Sequence, residues 1–187
     1  MSLPEASVND YSERRKHLER IKRNTPIGIF GSFYPSRKQD LILLREFLGE
    51  AGYCARISED LNTGREKESK KKDSLLDREL SERLIAESDI HLFVLVHSRK
   101  NEPDNLIQSV SMEIERLHTL DECGQKPAKY VAVFSETGLI GTMGSVCEGL
   151  LASKEGDWII EEFSDIREIL RPARQFCLNC VLDKSGL

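Results

Sequence analysis

The 187-residue sequence contains no apolar run that approaches the length of a bilayer span, and no signal-peptide core opens it. A membrane-spanning helix is therefore not expected. A basic excess is also missing. The formal net charge is −5, which argues against a dedicated nucleic-acid binder, since such proteins present a basic face. A disulfide framework is excluded by arithmetic and context. The five cysteines, Cys54, Cys123, Cys147, Cys177 and Cys180, are odd in number and follow no secretory signal, so reduced thiols and a cytoplasmic location are expected. Neither GxGxxG nor GxxxxGK[ST] is present, which removes the two commonest phosphate-loop signatures. The pair Cys177 and Cys180 (CLNC) has no second CxxC or HxxxH to complete a metal site. His17, His91, His97 and His118 show no ligand spacing. No metal and no cofactor are expected, and no internal repeat is found.

What is present is an alternation. Hydrophobic residues make up 39% and charged residues 32%, enough apolar content for one domain at this length. Residues 1–25 form a helical arm in which Leu18 and Ile21 make a narrow apolar stripe, suited to peripheral packing or to a homo-oligomer contact. From residue 26 to 187 short apolar strands and longer amphipathic helices alternate. PIGIF, YCARIS, IHLFVLV, KYVAVFSE and DWIIEEF read as strands, with IHLFVLV apolar enough to be buried on both faces. KQDLILLREFLGEAG, SLLDRELSERLIAES, NLIQSVSMEIERLHTL, a short segment before residue 152 and SDIREILRPARQFCLNCVL read as helices, the last kinked at Pro172. The basic stretch 62–73 reads as a solvated loop or as a rim that attracts anions. Five repetitions of strand and helix predict a doubly wound α/β domain on a flavodoxin-like, five-stranded parallel sheet with helices on both faces.

Ligands of such sheets bind beyond the carboxyl ends of the strands. That rule nominates Gly31, Ser32 and Phe33 after the first strand, Asp60 after the second and Ser98 after the third. A glycine there lets backbone approach a ligand, and a serine hydroxyl can hold a phosphate or ribose oxygen. The alternative is an ordinary strand-to-loop turn. Asp89, just before the third strand, fits a helix-to-strand turn as well as a chemical role.

One residue breaks its local pattern. On the helix NLIQSVSMEIERLHTL, Leu106, Ile107, Val110, Ile114, Leu117 and Leu120 share an arc of roughly 140° at 3.6 residues per turn. Glu113 falls inside that arc, while Glu115 points to the polar side. A carboxylate among leucines must be paired, protonated or set in the wall of a cleft. Ser109, one turn earlier on the same helix edge, is one available donor. A structural ion pair and a catalytic carboxylate both satisfy this pattern.

IGIFGSF, ESDIHLFVLV and SVSMEIERL together resemble the nucleoside 2-deoxyribosyltransferase-like superfamily, a structural relative of Toll/interleukin-1 receptor (TIR) domains, over roughly residues 27–120. The resemblance implies an N-glycosidase or hydrolase of nucleosides, nucleotides or NAD-like ligands. It places the nucleophile at Glu113 and ligand contacts at Gly31 and Ser32. It also maps a family feature onto Asp89. The chemistry of such a step calls for an acid to protonate the departing base, for which Asp89 or Asp60 is the candidate, and for hydroxyls to hold ribose or phosphate oxygens, for which Ser32, Ser98 and Ser109 are the candidates. The match departs at Ile107, where the family often carries Asp or Ser. A nucleotide-sensing or interaction module on the same fold is the alternative function.

Overall fold

The computed structural model describes residues 8–62, 73–102, 106–142, 145–154 and 158–186. Five strands, β1 (Pro26–Phe30), β2 (Cys54–Arg56), β3 (Ile90–Leu95), β4 (Val131–Glu136) and β5 (Ile159–Phe163), form one sheet in the order β2-β1-β3-β4-β5. Every neighbouring pair is parallel, with Phe30 opposite Phe93 and His91 opposite Val131. This is the doubly wound, flavodoxin-like order, and strand succession reverses direction between β1 and β3.

Alternation along the strands sends side chains into two layers. Ile27, Ile29, Leu92, Val94, Val96, Ala132 and Phe134 face one side. There they meet α2 (Pro35–Glu50), α6 (Ile166–Ser185) and, through Leu18 and Ile21, α1 (Val8–Asn24). Phe30, Phe93, Leu95, Val131 and Val133 face the other side, against α3 (Asp73–Glu87), α4 (Leu106–Glu122) and α5 (Ser145–Ser153). All of β3 is buried, as its apolar run predicts. Burying one such side chain is worth about 1.5–3 kcal/mol, more than an exposed ion pair contributes, so this strand anchors the sheet.

Several boundaries differ from the sequence reading for local reasons. α2 starts at Pro35 and not at Lys38, because proline at the first helical position has φ already set for the helix. β2 stops at Arg56, since Ser58–Leu61 wind into a 3-10 turn whose Asp60 carboxylate accepts the Ile57 N–H at 2.9 Å. α6 begins with a capping box between Asp165 and Glu168 and stays helical through Pro172. Most of the basic stretch 62–73 lies outside the described residues. Among the described residues, no helix is long and apolar enough to cross a membrane.

Candidate functional site

Glu113 sits two turns into α4, and its stripe is confirmed in space. Val110, Ile114 and Leu117 are buried, with Ile107 and Leu120 packed against the same layer. The Ser81 hydroxyl of α3 donates a hydrogen bond to Glu113 Oε1. Oε2 is out of solvent contact and has no hydrogen-bond partner among the described residues. Burial pushes the carboxyl pKa up to about 7, and the Ser81 hydrogen bond offsets this in part. The group is thus poised near neutrality: it can hold a proton or release one.

The other nominated residues divide by their surroundings. Gly31, Ser32, Phe33 and Ser98 stand at the carboxyl ends of β1 and β3, and exposed Ser109 is in the first turn of α4. Strand order reverses between β1 and β3, so the crevice expected of such sheets opens at this edge. Ser32 is 5% exposed, and its Oγ accepts the Tyr34 N–H at 3.3 Å. Phe33 packs against the α2 side of the core. Asp60 is held by Arg45 at 2.7 Å as well as by the 3-10 turn. Asp89 lies at the amino end of β3, on the opposite edge of the sheet, where Lys184 Nζ reaches it at 2.6 Å. The structure does not bring Asp89 to the crevice.

Gly31 has a packing reason of its own. A Cβ there would stand 2.5 Å from Leu41 Cδ2 and 3.2 Å from the Val94 carbonyl. The bare Cα lets α2 close onto the end of β1. Gly31→Val should therefore cost about 1–3 kcal/mol through overpacking, read as a lower urea midpoint.

A clamp that no sequence pattern announced fixes the loop after β3. Arg37 of α2 is 4% exposed. Its Nε donates to Glu102 Oε2 at 3.2 Å and its Nη2 to the His97 carbonyl at 2.5 Å. Glu102 also accepts the Ser36 hydroxyl and the Arg99 N–H, the latter at 2.9 Å. These donors, led by Ser36, hold its carboxyl down at about pKa 2. A depressed carboxyl stabilises the fold above its unfolded pKa near 4.5 and loses that contribution as pH falls toward 2. Glu102→Gln should thus destabilise at pH 7, by more than Glu82→Gln in the exposed Arg78 pair, and the gap to wild type should close on acidification. Thermal unfolding of both variants at pH 7 and pH 3 checks this. With α2 starting at Pro35, Arg37 is a cation in the first turn of a helix, where the dipole disfavours it unless it is paired.

A cleft of about 460 Å³ opens across the sheet from Glu113, over the carboxyl ends of β3, β4 and β5 and between α2 and α6. Val96 and Phe163 form part of its apolar wall, and Arg99, Arg167 and Asp40 bring charge to it. Glu136 also lines it and accepts the His97 N–H at 2.8 Å. His97 Nε2 lies 3.2 Å from the Thr137 carbonyl. His91, within β3, is buried, and desolvation pulls its pKa down to about 4. Cys177 and Cys180 are free thiols buried in the α6 layer, and burial pushes both well above the usual thiol range, so neither is a ready thiolate.

No protein-family model matches the chain, and no curated protein matches it.

Proposed function

We propose that the protein cleaves or transfers at the N-glycosidic bond of a nucleoside, nucleotide or NAD-like ligand, with Glu113 as the carboxylate that meets the anomeric carbon. The observation that carries this reading is the Glu113 side chain: one oxygen held by Ser81, the other bare and out of water, and a pKa near 7. α4 follows β3 and so starts at the carboxyl edge of the sheet, the edge at which Gly31, Ser32 and Ser98 follow their strands. In the reaction, a Glu113 oxygen attacks the anomeric carbon as the carbon–nitrogen bond breaks. The base leaves with the bonding electrons and takes up a proton. Water or an acceptor hydroxyl then displaces the carboxylate and gives up a proton, which closes the cycle. The transition state resembles an oxocarbenium ion, and a desolvated carboxylate beside it stabilises the developing charge.

Asp60 and Asp89 are both engaged by cations, at 2.7 Å and 2.6 Å. That observation favours a second reading, a nucleotide-sensing module that binds but breaks no bond. Chromatography of free base released from deoxynucleosides, deoxynucleotides and NAD separates the two. Release by wild type and none by Glu113→Gln supports the enzyme. Silence across the panel from a folded protein supports the sensor.

A further inference from the structure

The cleft over β3, β4 and β5 has a charge arrangement that the Glu113 chemistry does not use. Its two guanidiniums at the mouth, Arg99 and Arg167, form no ion pair or side-chain hydrogen bond among the described residues, although both line the cleft. The carboxylates around them are committed differently. Glu136 accepts the His97 N–H at 2.8 Å, and Asp165 accepts the Arg167 N–H at 2.8 Å as the cap of α6. Only Asp40 among these carboxyls makes no hydrogen bond or ion pair among the described residues. Burial raises its pKa, with Arg37 and then Arg99 opposing that shift. The third arginine of the cleft, Arg37, is spent on Glu102 and the His97 carbonyl.

The cleft thus presents two guanidiniums and one carboxyl whose side chains make no hydrogen bond among the described residues, with an apolar wall of Leu43, Val96 and Phe163. Guanidinium forks match the oxygens of phosphate esters bidentately. A carboxyl beside them suits a hydroxyl donor, and the apolar wall suits a flat ring. The volume of about 460 Å³ falls within the range of small-molecule sites.

We infer that this cleft is a second binding site, separate from Glu113, for a small phosphorylated ligand with a ring body, of nucleoside-monophosphate class. The phosphate lies between Arg99 and Arg167, a hydroxyl donates to Asp40, and the ring packs on Val96 and Phe163. The inference does not rest on bond cleavage at Glu113, because binding here needs no reaction. It places a ligand on the α2 and α6 side of the sheet, whereas Glu113 lies on the α3 and α4 side.

The test is isothermal titration of the full chain with adenosine 5′-monophosphate, adenosine and inorganic phosphate at fixed ionic strength, with circular dichroism to show that each variant is folded. The monophosphate should bind, and adenosine should bind at least about tenfold more weakly, as expected when charged hydrogen bonds are lost. Arg99→Gln and Arg167→Gln should each weaken the monophosphate about tenfold by the same argument, while Arg78→Gln, an equal loss of charge on an exposed helix, should not. Asp40→Asn should weaken the monophosphate and leave inorganic phosphate unchanged. Absence of monophosphate binding at millimolar concentration would overturn the site. So would binding that is unaltered in both Arg99→Gln and Arg167→Gln, because the ligand would then sit elsewhere. These outcomes are independent of base release, so the two assignments can fail separately.

Discussion

Glu113→Gln should be more stable than wild type at pH 8, by on the order of 3 kcal/mol, and close to it at pH 4.5. The sign follows from proton counting. In the unfolded chain Glu113 titrates near 4.5, and in the fold near 7. Between those values the folded state holds more protons, so wild-type stability falls as pH rises and levels off above 7. Glutamine has the shape of the protonated acid and carries no charge, so its carbonyl can accept the Ser81 hydroxyl throughout. Other groups titrate alike in both proteins and cancel in the difference. Paired urea unfolding at pH 4.5, 6 and 8 measures the effect. A difference that stays flat across this range would mean that the carboxyl is hydrated or paired, and the desolvated Glu113 described above would be wrong.

This residue is legible in the sequence, because helix periodicity converts one misplaced charge into a spatial statement. The sheet was legible for the same reason: IHLFVLV has no polar alternation, so β3 had to be covered on both faces. Asp89 and Asp60 show where such reasoning thins out. Each is an acid beside a strand, and sequence cannot see that Lys184, ninety-five positions away, meets Asp89 at 2.6 Å. Yet Asp89 precedes its strand, and that order alone sets it on the edge opposite the carboxyl ends. The Arg37–Glu102 clamp and the cleft were not legible, because pairs sixty-five residues apart leave no period to detect. Serines at strand ends are ambiguous in sequence for a related reason. A hydroxyl such as Ser32 Oγ meets its backbone neighbour at Tyr34 as readily as a ligand.

Glu113→Gln should also lower base release by at least about a thousandfold, since losing the nucleophile removes both the covalent trap and the charge that stabilises the transition state, each worth several kcal/mol. Binding should hold within about twofold, because a substitution that acts on the chemical step lowers kcat and leaves ground-state affinity. The pH profile then assigns the role. A nucleophile must be ionised, and with a pKa near 7 about one tenth of Glu113 is ionised at pH 6 and about nine tenths at pH 8. Single-turnover rates should rise roughly tenfold over that interval and level off beyond it. A rate that falls instead would make Glu113 the acid that protonates the departing base, and the attacking group would have to be sought elsewhere along the crevice. Glu113→Asp discriminates further. It keeps the charge but withdraws it by one methylene, so it should retain binding and lose most turnover, because the oxygen no longer reaches a carbon about 3–3.5 Å away. Full activity in Glu113→Gln would end the assignment outright. The unpartnered Oε2 would then be a cost of packing α3 against α4, with no chemistry attached.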